Sequence, residues 1–344
     1  MVTPVVFIGG GSGGPATLDA ISKLEVSLTY AVPTSDSGGG LAVVQGMLGN
    51  STGFTDMERA MVHLADPEVR DDIEVLVNQR FNTVDGQGIQ GVRASNLVTA
   101  AFMQNSGSLQ QAVDAFCRLA RTKARITPLA PGPVQIQAIY SNGQVVVGEH
   151  EIDDPKQPWQ FTESIRELSM VGPVVPNPAA IEALRNAKAI VICPGSMFTT
   201  TVAALIVPGV VDAIGIARRN GARIVYIVNS ALEPGQTHNS PTASAHLAIV
   251  EDYVGKNVLT DVILHKSHLD TDLDPETLER YKSQGQKLVI NDYDGSWRMR
   301  VHQGKILSAE FVVPTTFRKV STIAYLRHDA VLMQPIFAEI LAEN

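Results

Sequence analysis

The chain has 344 residues, of which 44% are hydrophobic and 18% are charged, and its formal net charge is −8 at pH 7. This composition excludes a disordered chain, and the acidic balance without a Lys/Arg cluster argues against nucleic acid and membranes as partners. The two cysteines, Cys117 and Cys193, form no C-x-x-C pair, which argues against a disulfide framework. Because the N-terminus lacks the basic region of a signal peptide, we expect a cytoplasmic protein.

The start of the chain predicts strand, glycine-rich turn, helix and strand, which is the beginning of a doubly wound sheet. Residues 5–8 are wholly apolar, as expected of a buried parallel strand, and the glycine-rich segment 9–14 follows directly. Pro15 suits the first position of a helix predicted over residues 16–24. The next strand is predicted over residues 27–32.

The middle of the chain predicts helices and one hairpin. Helix-like apolar spacing occurs in residues 56–64, 96–103 and 109–119. Residues 134–140 and 144–148 flank an Asn-Gly pair, which is typical of a β-hairpin turn.

A second strand–turn–helix–strand unit is predicted further along the chain. Its strands are residues 189–193 and 224–229, its turn is Pro194-Gly195-Ser196, and its helical part covers 199–206 and 210–218. The remainder predicts a helix over 275–284, a strand over 287–291 and a helix over 320–326. Together these elements predict a single domain over residues 1–344, an α/β fold with a Rossmann-like, mostly parallel sheet, helices on both faces and a small hairpin insertion.

The first turn satisfies the dinucleotide-binding fingerprint Gly9-x-Gly11-x-x-Gly14. It lies between a strand and a helix, where one glycine makes the turn and another lets the backbone approach a phosphate. Asp36 lies 23 residues after Gly13, near the expected position of a ribose-binding acid. A tight turn without a ligand stays open as the alternative.

Other chemistries fit the same residues less well. A P-loop needs a lysine at the position of Pro15, so this loop is not a P-loop. Ser12 matches the nucleophile-elbow pattern, but that motif usually lies deep in the chain and not at its start. Cys193 ends an apolar strand, which favours a buried thiol over a nucleophile. His265 and His268 precede several aspartates, and this spacing favours a charged loop over a metal site.

Three segments resemble one family, and the resemblance covers most of the chain. Residues 8–13 resemble a Gly-Gly-Gly-Thr-Gly motif, residues 193–200 a Gly-Pro-Gly-Ser-Leu-Tyr-Thr-Ser motif, and residues 225–247 an Asn-x-x-Thr-Gln-x-Gly-Glu-Thr motif that ends in Asp-His-Leu. These motifs are those of the gluconeogenesis factors (YvcK type) and the 2-phospho-L-lactate transferases (CofD type). The resemblance implies a nucleotide or nucleotide sugar in the crevice at the carboxyl ends of the strands.

The chain also departs from the pattern of this family. Where the family has two adjacent acids after the second strand, this chain has Asp36 and Ser37, and the arginine after the following glycines is missing. Asp56 and Asn96 are kept in two further motifs, the second of which has lost its histidine. Because Mg²⁺ usually needs carboxylates beside phosphate oxygens, losing one acid of the pair favours binding over catalysis.

We therefore expect a nucleotide or nucleotide-sugar (UDP-sugar) binding protein that regulates carbon metabolism or the cell envelope and cell shape. The alternative is an enzyme that moves a phospholactyl-type group from a nucleotide diester to an alcohol, with Mg²⁺ and Asp36 as its acid–base centre. A nicotinamide-dependent oxidoreductase is a weaker third hypothesis, and a homodimer stays open. The expected partner is a small nucleotide-type molecule, and the candidate binding residues are Gly9, Gly10, Gly11, Ser12, Gly13, Asp36, Asn96, Pro194, Gly195, Ser196, Thr199 and Asn229.

Overall fold

The computed structural model describes residues 2–11, 13–37, 40–49, 52–81, 88–265, 279, 283, 287–304, 306–316 and 319–342. Its strands are β1 (Thr3–Ile8), β2 (Val26–Val32), β3 (Arg125–Pro128), β4 (Ile136–Tyr140), β5 (Val145–Val147), β6 (Ile165–Met170), β7 (Ala189–Ile192), β8 (Arg223–Ile227), β9 (Asp261–His265), β10 (Arg300–Gly304), β11 (Ile306–Thr316) and β12 (Lys319–His328). Its helices are α1 (Gly13–Ile21), α2 (Gly40–Leu48), α3 (Thr55–Leu64), α4 (Arg70–Asn78), α5 (Ala94–Ser106), α6 (Leu109–Leu119), α7 (Glu149–Asp153), α8 (Pro178–Asn186), α9 (Ala203–Leu205), α10 (Val210–Arg219), α11 (Ala243–Val254) and α12 (Ala330–Ala342). A 3₁₀ turn spans Pro158–Phe161, and a π-helical segment, Met197–Val202, leads into α9.

The main sheet has the strand order β10-β9-β8-β7-β1-β2-β3, and every neighbouring pair in it is parallel. From β1 the chain passes to β2 and β3 on one side, then returns to β7 and continues to β10 on the other. The loops after β1 and β7 therefore flank the point where the strand order reverses. In open α/β sheets this switch point is where ligands bind.

Helices cover both faces of this sheet, which explains why its strands are apolar runs rather than alternating sequences. Val6 and Ile8 pack into one core together with α8, α10 and α11. Val5 and Phe7 point the other way, into a second core formed with α1, α3 and α12. In that second core the rings of Phe7 and Phe337 lie 5.5 Å apart. The predicted doubly wound α/β fold is confirmed.

The predicted hairpin insertion is also confirmed, with a third strand that the sequence did not indicate. β4 lies between β5 and β6, and both pairs are antiparallel. At the turn, Asn142 accepts a hydrogen bond from the Gln144 backbone N–H, and Gly143 has a φ of +83° that favours glycine. The hydroxyl of Tyr140 donates to the carbonyl of Gly235, which ties the insertion to the loop after β8.

The prediction of a helix over residues 320–326 was wrong, because this segment lies in β12, which pairs antiparallel with β11. Its β-branched residues Val320, Thr322 and Ile323 favour a strand, and helical spacing over seven residues is a weak signal. In the predicted strand 287–291 only isolated bridges form, at Leu288 and Ile290. The helix predicted over 275–284 falls almost wholly outside the described residues.

No single helix in the described part of the chain is long and apolar enough to cross a membrane. The segments Met197–Leu205 and Val210–Arg219 reach that length only together, and they meet at a bend of 66°.

Candidate functional site

The two glycine-rich loops lie against each other at the switch point of the sheet. A Cβ added at Gly13 would lie 2.5 Å from the carbonyl oxygen of Pro194, and one added at Gly9 would lie 2.8 Å from the Cβ of Cys193. Side chains at these two positions would therefore force the loops apart. Glycine is required here for the close approach of two backbones, and the same loops were predicted from sequence to hold phosphate.

Beside Gly11 the two loops leave only a narrow space, which we call the crevice, and both backbone and side chains border it. Gly11 has a φ of +64°, and a Cβ added there would lie 3.8 Å from the Cα of Gly195 and 3.9 Å from the hydroxyl of Thr200. Gly10 lies directly under the carboxylate of Asp56, which a Cβ at Gly10 would overlap. Exposed backbone N–H groups at such a turn are a common way to bind phosphate.

The helix start after the second loop is already capped by the protein itself. The carboxylate of Glu233 accepts a hydrogen bond of 2.7 Å from the Met197 N–H. The side-chain oxygen of Gln236 accepts from the N–H groups of Phe198 and Thr199 at 2.9 and 3.2 Å. A phosphate at this loop must therefore use the earlier N–H groups of the turn. Burial raises the pKa of Glu233 to about 8.

Two candidate residues beside the second loop, Thr199 after its turn and Asn229 after β8, have different surroundings. The hydroxyl of Thr199 donates to Asp153 at 3.1 Å and its side chain is buried, so Thr199 supports the loop and is not presented to a ligand. Asn229 donates to the carbonyl of Gly195 at 2.7 Å, while its side-chain oxygen is buried and has no hydrogen-bond partner. An unpaired buried acceptor is costly. Asn229 is therefore the candidate residue beside this loop that is best placed to accept a hydrogen bond from a ligand.

Asp36 lies in an acidic group that the sequence did not reveal. Next to it, the backbone N–H of Ser37 donates to Glu149 at 3.3 Å. Burial, together with the negative charges of Asp36, Asp153 and Asp56, raises the pKa of Glu149 to about 9. The second acid that the family has beside Asp36 is Ser37 in this chain, and α7 brings the carboxyl group of Glu149 next to Ser37. The spacing of Glu149 and Asp153, which puts both on one helical face, was the available signal.

Glu149 should make the stability of the protein depend on pH. A carboxyl whose pKa is higher in the folded than in the unfolded chain binds more protons when folded, so stability falls as the pH rises from about 4.5 to about 9. We expect Glu149→Gln to remove this part of the fall and to stabilise the protein by about 1–3 kcal/mol at pH 9 but little at pH 5. Urea unfolding at pH 5, 7 and 9 measures the effect.

The matched control for this prediction is Glu151→Gln, an exposed acid on the same helix that pairs with Lys156 at 3.3 Å. It should leave the pH dependence of the wild type unchanged. If the free energy of unfolding changed with pH in the same way in the wild type and in Glu149→Gln, the raised pKa assigned to Glu149 would be contradicted.

Asn96 was predicted to bind the ligand, but its side chain lies in a buried network. Its side chain is 2% exposed and donates to the buried carboxylate of Glu58 at 3.0 Å. Ser95 and Thr99 donate to the same carboxylate at 2.6 and 2.7 Å. Burial raises the pKa of Glu58 to about 7, although these hydroxyl donors oppose the shift. Asn96 therefore orders this buried network and does not line the crevice.

The alternative chemistries find no support at the described residues. Burial raises the pKa of the Cys193 thiol to about 12, so it is not a thiolate nucleophile. No three His, Cys, Asp or Glu side chains are arranged to hold a metal ion in the ranges given above. Ser12 and His268 lie outside the described residues.

Comparisons with known proteins agree on one family. The family model of the 2-phospho-L-lactate transferase CofD matches residues 5–312. The gluconeogenesis factor of Halalkalibacterium halodurans is 27% identical over 290 residues, which is 84% of each chain. The gluconeogenesis factor of Bacillus subtilis is 24% identical over 343 residues, which is 98% of each chain.

A solved structure shows the same fold. The crystal structure of a UPF0052 family protein from Bacillus halodurans superposes with a TM-score of 0.80 and 23% identity, over 97% of this chain and 99% of the other. The strand order, the paired glycine loops and a family match over most of the chain lead to the same conclusion. The chain belongs to the CofD family.

Proposed function

We propose that the chain binds a nucleotide or nucleotide sugar in the crevice between its two glycine loops and acts as a regulator of carbon metabolism or of the cell envelope. The observation that carries the proposal is the contact of the two loops at the switch point of the sheet, with the unpaired side-chain oxygen of Asn229 beside them. The names of its relatives, gluconeogenesis factors, favour a regulatory role.

In this proposal the ligand is held mainly by backbone. Phosphate oxygens accept from N–H groups of the turn around Gly10 and Gly11, and from those of Gly195 and Ser196. Asp36 follows β2, the strand next to β1, and accepts hydrogen bonds from sugar hydroxyls. Asn229 accepts one further hydrogen bond.

A second candidate function, the phospholactyl-type transferase, is favoured by the acidic group around Glu149. In that function a cation between the nucleotide and carboxylates such as Asp36 and Asp56 neutralises the charge that develops on the phosphates. Against it, the described acids are not arranged as a set of metal ligands.

We expect uridine or guanosine nucleotides or their sugars to raise the unfolding temperature almost equally with and without Mg²⁺. At a ligand concentration of one hundred times Kd, the free energy of unfolding rises by about 2.7 kcal/mol. A thermal-shift series with these ligands, with nicotinamide dinucleotides as a further arm, measures it. Absence of any shift contradicts the binding proposal. A shift only with Mg²⁺, together with transfer of a phospholactyl group in a coupled assay, contradicts the regulator and supports the transferase.

A further inference from the structure

A group of three arginines borders the crevice on the Asp56 side. Arg80 and Arg93 form an isolated antiparallel backbone bridge, which places their side chains on the same face. Arg59 comes from α3, where its guanidinium pairs with Asp56 at 3.0 Å. Since Asp56 also covers Gly10, this group lies next to the first glycine loop.

Hydrogen bonds between α3 and the start of α5 bring Arg59 and Arg93 into the same region. Glu58, next to Arg59, accepts from Ser95 and Asn96, which follow Arg93 closely in the chain. Burial and the charges of Arg59 and Arg80 together lower the pKa of Arg93 to about 10. Burial also lowers the pKa of Arg80, with a contribution from Arg59. Like charges near one another destabilise the unliganded protein, and an anion bound beside them would relieve the repulsion.

Arg93 has donor capacity that the described protein does not use. Its side chain is 7% exposed, and its Nη1 is buried without a hydrogen-bond partner. The nearby buried carboxylate of Glu58 is already occupied by the side chains of Ser95, Asn96 and Thr99. A buried guanidinium N–H without an acceptor is costly, so this nitrogen is poised for a ligand oxygen.

The acids around the crevice explain why a positively charged donor is needed here. Asp56 covers Gly10 of the first loop, and Asp36, which follows β2, acts electrostatically on Arg93. Both acids would repel a phosphorylated ligand. Positive charge beside these acids compensates for the repulsion without a metal ion. Planar guanidinium groups are suited to phosphate because they can donate two parallel hydrogen bonds.

We propose that Arg59, Arg80 and Arg93 form an oxyanion site that binds a phosphoryl group of the ligand held by the glycine loops. This inference rests on the proposed function for the rest of the ligand, but the arginine site itself accepts phosphate independently of a nucleoside. It assigns the ligand a phosphoryl group beyond those that the glycine loops hold.

Calorimetric titration with inorganic phosphate, at constant ionic strength, tests the site without a nucleotide. We expect the wild type to bind phosphate and Arg93→Gln to bind it at least tenfold more weakly. The control is Arg185→Gln, an exposed arginine at the end of α8, which should bind as the wild type does. Equal phosphate binding by Arg93→Gln and the wild type, or no binding by either, would overturn the proposal.

A structural role for Arg93 gives a different result in the absence of phosphate. Because Nη1 has no partner there, we expect Arg93→Gln to unfold at the same or a higher urea concentration than the wild type. Should that variant fail to fold, a purely structural role is indicated and the proposal fails. The same phosphate titration with Arg59→Gln, which replaces a side chain that is 31% exposed, is an independent test of the arginine site.

Nucleotide titrations separate this inference from the proposed function. Nucleotide affinity that is equal in Arg93→Gln and the wild type leaves the nucleotide site in place and overturns the arginine site. Phosphate binding that depends on Arg93, without any nucleotide binding, supports the arginine site and overturns the proposed function.

Discussion

Replacing Gly11 by valine is expected to weaken nucleotide binding at least a hundredfold, equivalent to about 2.7 kcal/mol. A Cβ at this position already lies 3.8 Å from the Cα of Gly195 and 3.9 Å from the hydroxyl of Thr200. The two methyl groups of valine would fill the crevice where a phosphate must approach the backbone. Calorimetric titration of the variant with the nucleotide that stabilises the wild type measures the loss.

Valine at Gly11 also strains the backbone, because φ there is +64°. Gly107→Val is the matched control, because Gly107 has a similar φ of +67° but ends α5, away from the crevice. A Cβ added at Gly107 would meet no other atom within 4 Å. Both variants should lose similar stability, on the order of 1–2 kcal/mol, and only Gly11→Val should lose affinity. Retained binding by a folded Gly11→Val would remove the first loop from the proposed site.

Replacing Asp261 by alanine is expected to destabilise the protein by about 3–5 kcal/mol, because it breaks a buried group of charges by removing one partner. Asp261 is fully buried at the start of β9 and accepts hydrogen bonds from Arg223 on β8 and from Arg300 and His302 on β10. Thr260 donates to the same carboxylate at 2.7 Å. Without it, the basic side chains of β8 and β10 face one another across β9. Urea unfolding at pH 7 measures the difference.

The same carboxylate also predicts behaviour in acid. Burial alone would raise the pKa of Asp261, but hydrogen bonds from His302, Arg223 and Thr260 outweigh this and hold it well below its usual range. Its contribution is therefore present above about pH 4 and is lost only as the pH falls through the lower, folded value. Asp154→Ala, at an exposed aspartate, should change stability by less than about 0.5 kcal/mol. An Asp261→Ala protein as stable as the Asp154→Ala control would contradict this assignment.

Local signals were enough to predict the fold and both loops of the candidate site. The apolar runs of β1 and β7 end in glycine, and glycine is needed there because the two backbones touch. Asn96 and Thr199 matched family motifs, yet both are buried and bonded to neighbouring acids. Whether a polar residue faces a crevice or the interior depends on distant elements, which a motif does not record.

The residues that sequence reasoning missed come from segments without a motif. Glu149 reaches the site on α7, a short helix after the hairpin insertion, and Arg93 reaches it through a single backbone bridge to Arg80. β12 was predicted as a helix because its partner β11, which determines its conformation, was not recognised. The contact between Ser37 and Glu149 joins residues 112 positions apart, which no local pattern shows.

The position of β1 in the middle of the sheet has a consequence for the growing polypeptide on the ribosome. One neighbour, β2, is synthesised soon after β1, but the other, β7, emerges only after the first half of the chain. Until then a nascent chain carries one loop of the crevice and an apolar strand with an unpaired edge, which invites association with other chains. Helix α12, which follows every strand of the sheet in the chain, then covers Phe7 and α1, so one face of the first strand is closed only after all strands of the sheet have been made.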